Sequence, residues 1–273
     1  MQHTFPSRGY RIIDAHTHIF PHAIAAKATE NIGNFYGVRM QGVGEPYALA
    51  ESMRETGISH ALVFSAATTP KQVQHINEYI TACCAENPSF TGFGTLHPYM
   101  EEVEREVERC KRLGLRGFKF HPDLQQFYID EPRAVEMLRI IDKYHMPVLF
   151  HMGDERYTYS APERLRNVAD KFPDLMCIGA HFGGYRQWDA ALKYLVDGRI
   201  YFDTSSTLSF VGAQRAVDML HYFGVERFMF GTDFPMWEPG GELERFFALK
   251  LTEEERNRIL HGTFEELFGA VEK

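Results

Sequence analysis

The run Arg11-Ile12-Ile13-Asp14-Ala15-His16-Thr17-His18 decides how the rest of this 273-residue chain is read. It passes from apolar to polar within a few residues. Ile12 and Ile13 suit a strand covered on both faces, as in a parallel sheet. His16 and His18 stand two apart, so on a strand both imidazoles point to one side. Two such rings at the end of a buried strand can meet a single ion. A His-x-His arises often by accident, so its weight depends on what ends the other strands.

Further apolar runs follow, starting at His60 (HALVFSA), Phe90 (FTGFGTL), Arg116 (RGFKFHP), Met146 (MPVLFHM), Met176 (MCIGAHF), Ile200 (IYFDTSS) and Arg227 (RFMFGTDF). They are short, rich in Val, Ile, Leu and Phe, and nearly uncharged, which predicts strands buried in a parallel sheet. Helical patterns separate them. Val103, Val107, Cys110 and Leu113 form one apolar stripe amid Glu and Arg. The segment after Pro70 ends before Pro88, and another runs from Glu131-Pro132 to just before Pro147, with proline where helices start and stop. Strands alternating with helices in this way predict an α/β chain folded as a (β/α)8 TIM barrel. Its length suits a barrel of about 250 residues, so residues 1–273 are expected to form a single domain. The first interval is the longest, and residues 19–45 are expected to form a long βα loop that serves as a partial lid.

Composition narrows the partners. The formal net charge is −8 and no Lys/Arg-rich run occurs, which argues against nucleic acid. No stretch is apolar for long enough to span a membrane. Met1 to Tyr10 is polar and lacks the apolar core of a signal peptide, so the expected compartment is the cytoplasm. Cys83, Cys84, Cys110 and Cys177 form no C-x-x-C pair and no disulfide framework. The expected partner is a small-molecule substrate. Barrel-surface helices leave room for a homodimer, yet none declares an interface.

Active sites in this fold gather where strands end and βα loops begin. The polar residues expected on that rim are Asp14, His16, His18, His97, Lys119, His121, His151, His181, Asp203 and Asp233. Any one histidine there reads first as a hydrogen-bonded core residue. The clustering of so many on one rim, with carboxylates, points instead to a divalent metal. Imidazole and carboxylate suit zinc best, with Mn2+, Fe2+, Ni2+ or Co2+ able to use the same ligands. Asp233 in FGTDFP ends its strand against Pro235, where a metal would give a buried carboxylate its partner.

IDAHTH, FHMG, GAHFGG and GTDFP, in that order, resemble the amidohydrolase superfamily. The branch resembled is the amidohydrolase-2 type, which includes aminocarboxymuconate semialdehyde decarboxylase-like proteins. The resemblance spans Ile13 to about Trp237. It implies a TIM barrel of the metal-dependent hydrolase type, with His16, His18, His151 and Asp233 as metal ligands. It also implies that Asp233 exchanges protons with a metal-activated water and that His181 is a general acid/base or polarises the substrate. Two-metal members carboxylate a strand-four lysine, so a carboxylated Lys119 would bring a second metal. The motifs are closer to the one-metal branch.

Such parts permit two reactions. The first reading is a hydrolase acting on a carboxylic acid, amide or lactone through the activated water. The alternative is a carboxy-lyase, a decarboxylase of an unsaturated or aromatic acid, in which the same groups protonate carbon. A non-catalytic binding barrel is the third, and the intact ligand set speaks against it. Substrate contacts are expected from Arg156 and Tyr157 after strand five, from His121 and Lys119 on strand four, and from Trp237 after Asp233. Arg156 suits a carboxylate, or equally a salt bridge to Asp154 or Glu155. His97 is a further candidate contact.

Overall fold

A computed structural model describes residues 9–196 and 198–271. Most of the N-terminal stretch expected to lack a signal peptide lies outside the described residues. The chain runs β1 (Ile13–His18), α1 (His22–Tyr36), α2 (Pro46–Thr56), β2 (His60–Phe64), α3 (Val73–Glu86), β3 (Phe90–Gly92), α4 (Val103–Arg112) and β4 (Phe118–Phe120). It continues with α5 (Pro122–Gln125), α6 (Pro132–Lys143), β5 (Val148–Phe150), α7 (Pro162–Lys171), β6 (Cys177–Gly179), α8 (Trp188–Tyr194) and β7 (Ile200–Asp203). The last elements are α9 (Ala213–Phe223), β8 (Phe228–Met229), α10 (Pro239–Phe247), α11 (Glu253–Asn257) and α12 (Thr263–Phe268). Each expected strand is present. No helix among the described residues is long and apolar enough to cross a membrane.

These residues gather into two compact units. The first holds the described residues up to Val63, Asn87–Phe90 and the chain from Thr204 on. The second holds Phe64–Glu86 and Thr91–Asp203.

In the first unit β1 lies between β2 and the β8 segment. Ser59 N–H donates to Ile12 O at 2.8 Å on one side, and Ala15 N–H donates to Phe230 O at 2.8 Å on the other. Past β8 the pairing goes on. His18 N–H donates to Phe234 O at 2.7 Å and Asp233 N–H donates to His16 O at 2.9 Å. Asp14 staples the same edge, accepting from Thr232 N–H at 2.9 Å and from the Thr232 hydroxyl at 2.5 Å. These bonds fix Asp233 beside the two histidines of β1. Ile12, Ile13, Ala15, Phe228, Met229 and Phe230 are buried among Phe246, Leu260 and Phe264. Each large apolar side chain so covered contributes about 1.5–3 kcal/mol.

The stretch expected as a long first loop is helical over much of its length. α1 buries Ala25, Thr29 and Gly33 and stops at Gly37, whose φ of 64° suits glycine. The chain then returns close to α1: a Cβ on Gly33 would lie 2.8 Å from Val38 O and 2.9 Å from Met40 Cγ. Gln41 and Gly42 N–H donate to Met236 O and Pro235 O, which ties the segment to the turn after Asp233.

In the second unit β4, β5, β6 and β7 are parallel neighbours. Phe118, Val148, Cys177 and Ile200 share one level, and Phe120, Phe150, Gly179 and Phe202 share another. The register fixes what comes next. One residue beyond the second level stand His121, His151, Ala180 and Asp203, with His181 one step further. α6 and α7 carry Leu138, Ile141, Leu165 and Val168, all buried, as parallel strands require of their crossovers.

Candidate metal centre

In the first unit His16 and His18 each present Nε2 to Oδ1 of Asp233, both at 3.4 Å. The ligand atoms of this trio lie within 4.8 Å of one another. The two rings are tilted by 51°, and both Nε2 atoms approach the same carboxylate oxygen. Ligands about 2.1 Å from one zinc stand about 3.4 Å apart in a tetrahedron, so the trio fits a divalent cation. The other ring nitrogen of His16 lies 3.1 Å from Ser205 Oγ. A proton there, donated to the serine, leaves Nε2 as the ligand atom. Ser206 Oγ donates to Asp233 Oδ2 at 2.5 Å and accepts the Trp237 indole N–H at 2.8 Å. The indole also meets the Phe210 ring edge-on. Trp237 therefore supports the carboxylate through Ser206.

The second unit brings together His121, Asp123, His151 and His181. His151 Nδ1 and His181 Nε2 are 2.9 Å apart. On its far side His151 Nε2 faces Asp123 Oδ2 at 3.7 Å. Its ring stacks on His121 with centroids 4.0 Å apart and planes 9° apart. His121 caps α5, its Nδ1 accepting from Leu124 N–H at 3.4 Å, which puts its proton on Nε2. The Ser160 hydroxyl donates to Asp123 Oδ2 at 2.8 Å, while Asp123 Oδ1 is buried and has no hydrogen-bond partner. Burial pushes the Asp123 carboxyl up to about 7 and neighbouring Asp154 adds to the rise, against the bond from Ser160. His181 takes its backbone direction from Asp203, whose Oδ1 accepts the His181 N–H at 3.0 Å.

The other expected contacts fare differently. Lys119 is fully buried, with Nζ 4.9 Å from the centre of the Phe64 ring, a placement suited to an ammonium. A carboxylated lysine would set negative charge against that ring face. Arg156 is held by Asp154 through two side-chain bonds of 2.9 and 2.6 Å, the salt-bridge arrangement of the two that the sequence allows. Tyr157 is exposed beside it, its ring 5.3 Å from the guanidinium and stacked on Tyr159 at 6.1 Å. His97 is occupied by backbone. Its Nδ1 accepts from Tyr99 N–H at 3.3 Å and its ring bonds the Gln125 backbone, while burial lowers its pKa.

Sequence reasoning passed over Asp123, Ser160, Ser205 and Ser206. The signal for two of them was present: DTSST, residues 203–207, ends β7 in polar residues, and only its Asp203 drew attention. Asp123 was hidden in HPD, where a helix-starting aspartate is an ordinary cap. Backbone strain marks one of these, Ser206, and several residues near them. Asp154, His181, Phe182, Ser206 and Asp233 are non-glycine residues with φ of 148°, 60°, 54°, 46° and 61°. Such conformations cost on the order of 1 kcal/mol or more each and concentrate at functional sites.

The amidohydrolase family model matches residues 13–270. Among solved structures, the chain is similar to a dihydroxybenzoic acid decarboxylase from Polaromonas sp. JS666, solved with bound manganese and the inhibitor 2-nitroresorcinol. That likeness has a TM-score of 0.74 at 18% identity and covers 95% of this chain and 97% of the other. A 5-carboxyvanillate decarboxylase from Sphingomonas paucimobilis gives 0.70 at 15% identity, over 95% and 99%. An uncharacterised TIM-barrel protein from Bordetella bronchiseptica gives 0.72 at 19% identity, over 94% and 98%. These likenesses show the fold to be the α/β TIM barrel that the strand series predicts.

Proposed function

The chain belongs to the amidohydrolase family, in its amidohydrolase-2 branch, and from that premise we propose that it is a metal-dependent decarboxylase of a hydroxylated aromatic or related unsaturated acid. One observation carries the choice: the dihydroxybenzoic acid and 5-carboxyvanillate decarboxylases resemble this chain over 95% of its length. The sequence alone ranks hydrolysis first; these relatives reverse that order.

His16, His18, Asp233 and His151 are the proposed ligands of one divalent cation. The convergent donors of the first three support the assignment, and the resemblance adds His151. Bound there, a divalent cation would polarise the oxygens of the substrate acid. Zinc suits the donor types, and manganese is the metal held by the Polaromonas enzyme. Lys119 over the Phe64 ring favours a single ion, because it sits as an ammonium would. His181, as an imidazolium, is the proposed donor: its Nε2 gives a proton to the carbon that bears the carboxylate and its Nδ1 keeps its own. Once that carbon holds the proton, the bond to the carboxylate breaks, its electron pair returns to the ring, and carbon dioxide leaves. Asp233 shares the proton exchange. Lys119, His121 and Trp237 are proposed to contact the substrate, with Arg156 and Tyr157 as outer candidates. A single domain, with residues 19–45 as a partial lid, belongs to the same proposal.

The test is direct. Mn2+-loaded protein is incubated with 2,6-dihydroxybenzoate, 5-carboxyvanillate and a panel of amides and lactones. The expected result is carbon dioxide and the matching phenol in equal amounts. Hydrolysis of an amide or lactone with no carbon dioxide would restore the hydrolase reading.

A further inference from the structure

The second unit contains a carboxyl that neither the ligand set nor the proton donor uses. Asp123 is 3% exposed, stands at the start of α5, and directs Oδ2 toward both Ser160 and His151. With His121 and His151 it forms a cluster of metal-ligand types whose donor atoms lie within 4.8 Å of one another. The rings rule out the obvious reading. Stacked 4.0 Å apart and 9° from parallel, His121 and His151 hold their lone pairs in two nearly parallel planes. Ligands of one ion must converge, as the tilted rings of His16 and His18 do. His121 also spends Nδ1 on the Leu124 amide, which leaves a proton on its Nε2.

We propose that Asp123 is a positioning residue that fixes the tautomer of His151, holding the proton on Nε2 so that Nδ1 presents a lone pair. The geometry around the ring supplies the reason. At 3.7 Å the Asp123 oxygen lies beyond hydrogen-bond length, yet it is the acidic group that Nε2 faces. A proton on Nε2 lies favourably beside it; a lone pair there would oppose the oxygen's own. The opposite nitrogen, Nδ1, lies 2.9 Å from His181 Nε2, and in metal-free protein a contact that short places one proton between the two nitrogens. With Nε2 of His151 protonated, that proton belongs to His181. The same order of protons keeps the lone pair on His151 Nδ1, where it accepts the His181 proton until an ion takes its place, and keeps that proton on His181 Nε2. Carboxylate groups behind ligating histidines act in this way elsewhere, and their loss costs about 10–100-fold in metal affinity. Ser160 completes the device by holding Oδ2 in place.

This inference rests on the proposed role of His151 as a ligand, but its first readout does not. In metal-free protein with 15N-labelled histidine, long-range 1H–15N correlation reports which nitrogen of His151 is protonated. Wild type is expected to show a protonated Nε2 and a lone-pair Nδ1. Asp123→Ala should move His151 toward the other tautomer or a mixture. Asp123→Asn, which keeps an acceptor oxygen, should restore the wild-type pattern in part. Ser160→Ala, a milder change should Asp123→Ala fail to fold, should shift the same signals by a smaller amount. Mn2+ affinity should fall about 10–100-fold in Asp123→Ala and less in Asp123→Asn. A folded Asp123→Ala with unchanged His151 signals overturns the proposal, as does a wild-type His151 protonated on Nδ1. If the tautomer shifts while His151→Ala still binds Mn2+ normally, the ligand assignment fails and the positioning role stands.

Discussion

Two clusters in this protein use the same chemistry and differ in angle. His16, His18 and Asp233 form one; His121, Asp123 and His151 form the other. In the first, rings tilted by 51° aim both Nε2 atoms at one carboxylate oxygen. In the second, parallel rings stack and the carboxyl stands to the side, bonded to Ser160. Both groups contain two histidines and an aspartate within metal-ligand reach. Residue type and proximity therefore do not by themselves say which cluster suits an ion; the direction in which the donor atoms point does. The backbone sets that direction. His16 and His18 alternate with Thr17 on one strand, whereas His121 and His151 stand side by side at one level of adjacent strands.

The largest expected effect tests this contrast. His16→Ala should lower Mn2+ or Zn2+ affinity by more than about a hundredfold, beyond the loss of an outer-layer partner. His121→Ala should leave affinity within about threefold, because a stacked ring that caps α5 is not a ligand. Equal losses in equilibrium dialysis would erase the distinction between the clusters. Ser206→Ala comes next. It removes the donor to Asp233 Oδ2 and the acceptor of the Trp237 indole. Metal affinity is expected to fall about tenfold or somewhat more, and an unchanged titration would show that the carboxylate needs no such support.

His60 offers a histidine outside both clusters. It is buried against Phe264, and burial, aided by the charge of Arg11, pushes its pKa from 6.5 to about 4. Between those values the unfolded chain binds a proton that the folded chain refuses. Stability is thus full above about pH 6.5 and drains as the pH falls toward 4, by about 1–2 kcal/mol after allowance for solvent screening. Urea unfolding of metal-free protein at pH 7 and pH 5 should show the loss, and His60→Gln should flatten it. A slope that survives that substitution would trace acid sensitivity to other groups.

The smallest expected effect concerns Arg156. With its guanidinium on Asp154 and its side chain 42% exposed, Arg156→Ala should cost less than about 1 kcal/mol and change KM less than about twofold. A tenfold rise in KM at constant kcat would return Arg156 to the role of carboxylate clamp.

The strands were legible because burial on both faces writes itself into short, uncharged runs, and β1 and β4–β7 stand where those runs predict. The helix inside residues 22–36 was not, because Ala25, Thr29 and Gly33 are small and make a faint apolar stripe. At the site, His16 and His18 face one side as the period-two pattern implies, and Asp233 joins them from the end of another strand. The supporting groups could not. Ser205, Ser206 and Ser160 are common loop residues, and only the turn that aims each hydroxyl gives it meaning. Arg156 shows the reverse, since nothing in Gly153-Asp154-Glu155-Arg156 says which partner the guanidinium takes.

The chain has two tryptophans, and they divide between the two regions compared above. The Trp188 indole N–H donates to the carbonyl of His181 at 3.1 Å, and that of Trp237 donates to Ser206 at 2.8 Å. Each region thus carries its own fluorophore, joined by one hydrogen bond to a residue of the candidate site. Ultraviolet emission becomes a built-in optical meter. Replacing either indole with phenylalanine leaves a single reporter for the other region, so changes at the two can be followed separately without a dye.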